Sequence, residues 1–290
     1  MIKEEVIIEQ LDKTLTETDF LALGKKYRGK VRDNYIMDEK VFMIATDRQS
    51  AFDRILASVP FKGQVLTQTS IFWFNKTKDI VQNHMIDNPD PNIMVCKKLN
   101  VFPVEFVVRG YMTGVTSTAV WTAYENGERL FCGNVLPEGM IKNQKFDEAI
   151  ITPTTKSDEH DLSVTPEFLF EKGIATPAQY KEVRNNSIFA FGIVDNFLRQ
   201  RGLLAVDTKT EHGIDHQGKI KVKDEVWTMD SSRFWMLDDY QQQLDQLKSG
   251  DIVELNPQSF SKEFARGFSR GKEEYTNDQR IEISVRYIMG

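Results

Sequence analysis

"VDTKTEHG", Val206–Gly213, decides the reading of this chain. It continues an apolar run, Leu203-Leu204-Ala205-Val206, and then sets Asp207, Lys209 and Glu211 at every second position. Successive side chains of a strand point to opposite faces, so these three charges share one face. An apolar core does not hold such groups unpaired. Asp215-His216-Gln217-Gly218 then reads as a polar turn and Lys219–Val226 as the returning strand of a hairpin. With that turn Ile214 pairs with Lys219, Glu211 lies opposite Val222 and Lys209 opposite Asp224, which brings Asp224 onto the same face. Three carboxylates against one ammonium leave an excess of like charge that repels without a partner. A divalent cation would resolve the repulsion, because magnesium takes one or two carboxylates and completes its shell with water and nucleotide phosphates, within reach of Lys209. The alternative is an edge hairpin carrying a surface salt-bridge ladder.

Outward from this strand, "GKKYRGKVRDNYI" and "KVFMIATD" read as two strands joined by a turn at Met37-Asp38-Glu39-Lys40. The first sets Lys25, Lys26, Arg28, Lys30 and Arg32 around Gly24 and Gly29, where backbone amides and cations can meet phosphate oxygens. It is not a Walker A loop, since Val31 follows Lys30. Val65–Met85 has helical spacing up to the Pro89/Pro91 breaker. "FPVEFVVRGYMTG" is a strand to Arg109 that breaks at Gly110 and Gly114, and the stretch from Cys132 to Asp161 reads as polar loop. Thr176-Pro177 caps a helix to about Gln200, stopped by Gly202. The tail from Asp238 is helical in pattern, broken at Asn256-Pro257. Arg109 and Arg233 stand at strand ends and suit bidentate recognition of carboxylate or phosphate; each could instead clamp Glu105 or Asp230.

The bulk numbers exclude several classes. A chain of 290 residues can bury a large core, and no apolar run approaches the roughly 20 residues of a membrane span. A net charge of −6 argues against a general nucleic-acid surface, so anionic ligands must meet local cationic clusters. Cys96 and Cys132 have no metal or CxxC spacing and fit buried thiols in a reducing cytoplasm. No GxSxG occurs, so no nucleophile triad is indicated.

Six ordered segments, "GKVRD" (29–33), "ATDRQSAFD" (45–53), "FPVEFVVRGYMTG" (102–114), "ITPTTKSDEHD" (151–161), "VDTKTEHG" (206–213) and "DEVWTMDSSRFW" (224–235), resemble the SAICAR synthetase family over nearly the whole chain. The resemblance implies an α+β fold of two lobes with antiparallel sheets and flanking helices, kinase-reminiscent, with ATP in the cleft between them and a C-terminal helical segment. We expect a β-rich ATP-binding lobe over 1–106 and a substrate and metal lobe over 107–290. The implied reaction joins the carboxylate of CAIR to the amine of L-aspartate with Mg2+ and ATP, through an acyl phosphate, in a cytoplasmic enzyme with small-molecule partners and neither nucleic acid nor membrane. On the resemblance, Lys30, Arg32, Glu105 and Lys209 serve ATP, and Glu211 and Asp224 hold magnesium. Arg109, Lys156, Asp158, Asp161, Ser232 and Arg233 bind CAIR and aspartate, and Asp207, Lys209 and Asp230 act at the reacting groups. Val115 replaces a usual Ser, Thr210 and His212 replace larger apolar residues, and Met229 replaces a common Pro. A small-molecule kinase on the same magnesium face is the competing reading, distinguished by a stable phosphorylated product.

Overall fold

The computed structural model describes residues 3–51, 54–156, 161–262, 264–265 and 274–289. Strands β1 (Lys25–Arg28), β2 (Arg32–Met37) and β3 (Lys40–Ala45) run antiparallel in sequence, so the basic segment expected as one strand is folded on itself at Gly29-Lys30-Val31. The expected turn between β2 and β3 is present, with Asp38 in the left-handed region at φ 50°. A ribbon of β4 (Arg48–Ala51) and β5 (Arg54–Ser58) leads into a helix, Lys62–Thr77. That helix starts earlier and stops earlier than its periodicity suggests. The Asn83 carboxamide donates to Phe74 O at 3.2 Å and accepts from Met85 N at 3.0 Å, turning the chain into β6 (Met85–Asp90). Strand β6 tolerates Pro89 because it is the outer edge of a five-stranded sheet in the order β1-β2-β3-β7-β6, with β7 spanning Ile93–Lys97.

The second sheet is built on β8 (Asn100–Tyr111). After the small hairpin β9 (Leu130–Phe131) and β10 (Asn134–Val135), strand β11 (Lys145–Thr155) fills much of what the sequence suggested was loop, pairing antiparallel with β8. Strand β8 does not break at Gly110: the missing side chain makes room there for Phe191, whose ring would stand 2.9 Å from a Cβ. On the other side of β8 lies the long strand β12 (Leu203–Ile214), whose far edge is shared by β13 (Ile220–Lys223) and β14 (Ser232–Met236); β15 (Ser259–Phe260) closes the row.

Alternation along β8 decides where the core lies. Phe102, Val104, Phe106 and Val108 are buried on one face with Val183, Phe191 and Val194 of the helix Pro177–Arg199. That helix has the expected Thr176 cap, completed as a capping box by Gln179. Glu105, Val107 and Arg109 point to the other face. The expected lobe boundary at 106/107 would cut β8, whereas the two sheets change over between Lys97 and Asn100. Nor does the chain's end stay with the second sheet. The helix Asn277–Met289 returns to the beginning of the chain, where Arg280 donates to Leu11 O at 2.5 Å and Ser284 to Pro60 O at 2.9 Å. Among the described residues no helix is long and apolar enough to cross a membrane.

Candidate active site

The polar face of the second sheet is a ladder of rungs, because directly opposed residues of antiparallel strands share a face. One rung joins Arg109, Asp207 and Arg233; the next joins Thr152, Val107 and Lys209; the third joins Thr154, Glu105, Glu211 and Lys223. Asp207, Lys209 and Glu211 therefore share the face their alternation predicts, and the first two lie over a cleft of about 530 Å³ lined also by Glu105, Arg109 and Arg233. That volume suits small-molecule ligands.

On the first rung Arg233 grips Asp207 through Nε, at 3.1 and 3.0 Å, and Nη2, at 2.6 Å. Arg109 is fixed by Thr152 Oγ1 at 2.8 Å and Thr118 O at 3.0 Å, with Nη1 3.9 Å from Asp207. Burial pulls its guanidinium down to about 10, against the attraction of Asp207, so it remains a cation at neutral pH. Ser232 bonds Thr208 at 2.8 Å and lines the cleft, as do Asp161 and exposed Val115.

Cations and carboxylates alternate on the other rungs. Lys209 donates to Glu105 at 2.7 Å, Lys156 bonds Glu211 and lies 3.6 Å from Glu105, and Lys223 donates to Glu211 at 2.8 Å. Burial and the neighbouring Asp224 push the Glu211 carboxyl up, but Lys223 and Lys156 outweigh them and hold it below the ordinary range.

The hairpin register differs from expectation by one residue: Ile214 pairs with Ile220 and Glu211 with Lys223. The turn absorbs Lys219, whose amide donates to the Asp215 carboxylate at 3.0 Å. Such a slip should have moved Asp224 to the wrong face. It does not lose the site, because Asp224 leaves the strand with φ 67° and its carboxylate is taken by Arg32 at 3.0 and 3.2 Å. Burial raises the Asp224 carboxyl, and Arg32 with Lys223 then brings it well below the carboxylate range. Arg32 also meets Glu225 at 3.0 Å, so this buried cation sits between two acids. Among the described residues no three His, Cys, Asp or Glu side chains converge as a closed metal cage. Two hard oxygen donors whose repulsion needs three cations fit a magnesium ion that keeps water and phosphate ligands.

Asp230 is placed differently. Both oxygens are engaged, one by Tyr287 of the last helix and the other by Lys62 at 2.9 Å and Lys262 at 3.4 Å. Burial raises its carboxyl, and Lys262 and Lys62 more than reverse this. Lys30 lines the cleft from the first sheet, and Asp158 lies outside the described residues. Sequence reasoning missed Lys62, Lys223, Lys262 and Tyr287. Of these only Lys223 carried a signal, its place in the returning strand, and the expected register set it opposite Thr210 rather than Glu211; the others come together across 32 to 168 residues of chain. Thr210 and His212 do lie on the opposite face, where Thr210 bonds Phe106 O at 3.1 Å and the His212 ring meets Phe106 edge-on. Cys96 and Cys132 are buried free thiols.

The family model described as SAICAR synthetase matches residues 25–281. The chain is 46% identical over 266 residues to a chloroplastic phosphoribosylaminoimidazole-succinocarboxamide synthase of Vigna aconitifolia, covering 92% of this chain and 76% of that protein. It is 47% identical over 252 residues to the synthase of that name from Legionella pneumophila (strain Lens), covering 87% and 78%. Its fold is similar to that of a SAICAR synthase from Saccharomyces cerevisiae complexed with SAICAR, with TM-score 0.74, 27% identity and coverage of 95% and 96%. A SAICAR synthetase solved in complex with ADP shares the fold at TM-score 0.67 and 24% identity, covering 92% of this chain and 98% of that one.

Proposed function

The chain belongs to the SAICAR synthetase family, and from that premise we propose how its residues divide the reaction. The reaction joins the carboxylate of CAIR to the amine of L-aspartate with ATP, giving SAICAR, ADP and phosphate in purine biosynthesis. A carboxylate resists amines because its leaving group would be oxide. In our reading a CAIR carboxylate oxygen attacks the γ-phosphorus and the bond to ADP breaks, leaving an acyl phosphate. Aspartate's amine then attacks the carbonyl carbon, and phosphate departs with that oxygen.

The rung order supports this division: the arginine rung lies one step from Lys209 and two from Glu105 and Glu211. Arg109 and Arg233, with Ser232, orient the anionic groups of CAIR, while Lys156 and Asp161 border the aspartate side. Lys209 and Lys30 neutralise charge on the transferring phosphoryl group. Glu211 and Asp224 would hold magnesium, which supplies charge neutralisation on the phosphates when bound. In this scheme Arg32 acts through Asp224 rather than on phosphate, since its fork is occupied by Asp224 and Glu225. Of the carboxylates lining the cleft, Glu105, Asp161, Asp207 and Asp230, we assign the amine's proton to Asp207. Asp230, held by three donors, is assigned a structural part instead. We divide the lobes between Lys97 and Asn100 and assign the closing helix to the first. Two free buried thiols suit a reducing compartment such as the cytoplasm.

The test is ADP release from Mg-ATP and CAIR with and without L-aspartate, alongside formation of the succinocarboxamide. Aspartate-dependent ADP matched one-for-one by product is expected, and oxygen-18 in the CAIR carboxylate should appear in released phosphate. Label retained wholly in SAICAR would eliminate the acyl phosphate.

A further inference from the structure

The turn between β1 and β2 carries Lys30 at its tip, and one buried side chain sets its shape from beneath. Gly29 N donates to Arg32 O at 2.7 Å and closes the turn. Arg48, the first residue of β4 and only 2% exposed, donates Nε to Lys30 O at 3.0 Å and Nη2 to Gly29 O at 3.0 Å. The same guanidinium reaches Thr16 O at 2.5 Å through Nη1 and Asp33 Oδ1 at 2.8 Å through Nη2. Thr46 takes the next carbonyl, Val31 O, through both its amide at 3.0 Å and its hydroxyl at 2.8 Å. All three carbonyls of Gly29-Lys30-Val31 are thus drawn to one side.

A planar trans peptide points its N–H opposite to its C=O, and no cis bond occurs among the described residues. The peptides whose carbonyls face Arg48 therefore send the amides of Lys30 and Val31 the other way. Arg48 itself has no exposed charge to offer a ligand. Its partner Asp33 is wholly buried and also accepts from Thr18 N at 2.8 Å and Thr18 Oγ1 at 3.1 Å. Burial pushes the Asp33 carboxyl up, and the bonds from Thr18 and Arg48 more than reverse that, so the pair stays ionic.

Resting on the assignment of this turn to ATP, we propose that Arg48 is a positioning residue for the nucleotide phosphates: it holds the turn's carbonyls inward so that the Lys30 and Val31 amides face the phosphate oxygens beside the Lys30 ammonium. A lysine cannot substitute, because two adjacent carbonyls, Thr16 O and Asp33 require a planar fork.

The experiment compares KM for ATP and for CAIR in the wild type, Arg48→Lys, Lys30→Ala and the double variant. Arg48→Lys should raise KM for ATP about tenfold while KM for CAIR stays within about twofold. Once Lys30→Ala is present, Arg48→Lys should add much less than it does alone. Equal rises in both KM values, or full additivity in the double variant, would overturn the proposal and leave the ATP assignment standing. An unchanged KM for ATP in Lys30→Ala alone would remove the turn from the nucleotide site and take both down. If circular dichroism shows Arg48→Lys unfolded, Thr46→Val replaces it. Losing only the hydroxyl bond to Val31 O, it should raise KM for ATP about two- to threefold, and no rise there would equally overturn the proposal.

Discussion

Glu211 lies between Lys156 and Lys223, and Asp230 lies between Lys62 and Lys262. The composition is the same and the surroundings are not. The Lys156 side chain is 39% exposed and can swing into water if a cation takes its place, whereas Lys62 is fully buried and has nowhere to go. Asp230 has a third donor, Tyr287, while Glu211 has as a neighbour a second carboxylate, Asp224. A carboxylate with replaceable partners and an acidic neighbour is prepared to bind; one held by three donors from three parts of the chain, two of them buried, is a joint. The lesson is that the freedom of the partners, more than the identity of the acid, separates a ligand from a strut.

The comparison breaks first at Asp230. Asp230→Ala leaves Lys62 buried without its counter-ion, which should cost about 3–5 kcal/mol in urea unfolding. A wild-type midpoint would mean the joint carries no load. Glu211→Gln should behave in the opposite way: turnover falls roughly a hundredfold or more with a weakened response to magnesium, and the unfolding midpoint moves little. Unchanged activity would take Glu211 out of the metal site.

Acid sharpens the contrast. Asp33, Glu211, Asp224 and Asp230 are all held below the ordinary carboxylate range, so their stabilisation is present above the unfolded value of roughly 4 and is lost as pH falls through the folded values. Asp47 works against them: burial raises it, despite the amides of Gly63 and Leu15, so it disfavours the fold slightly at neutral pH and less as pH falls. Melting temperature should therefore drop below about pH 4, less steeply in Asp230→Asn than in the wild type; parallel curves would dissociate the joint from acid stability. The smallest effect is expected remote from both clusters. Thr176→Ala, which removes the long helix's capping box, should cost about 1 kcal/mol without altering any KM.

Much of this was legible because it depends on period. The alternation of β12 put Asp207, Lys209 and Glu211 on one face whatever paired with it, and the Thr176-Pro177 signal marked a helix start by local chemistry alone. Illegible parts depend on partners distant in sequence. Nothing near Lys62 indicates that Asp230 will meet it, and nothing in "RGKVRD" separates a long strand from a tight turn until Arg48 and Thr46 collect its carbonyls. Asp224 shows a third situation: the register inferred for it was wrong by one residue, and a left-handed backbone restored the outcome.

The closing helix has a consequence for biosynthesis. Tyr287 completes the grip on Asp230, and Arg280 ties to Leu11 across 269 positions. Contacts that span nearly the whole chain form slowly, because so much polypeptide must be ordered to close the loop. On the ribosome the first sheet and the ladder strands can emerge and pair, but the Asp230 joint must wait until its last tyrosine is outside the exit tunnel. A nascent chain therefore lacks the Asp230 joint until Tyr287 has emerged, however early the ladder strands have paired.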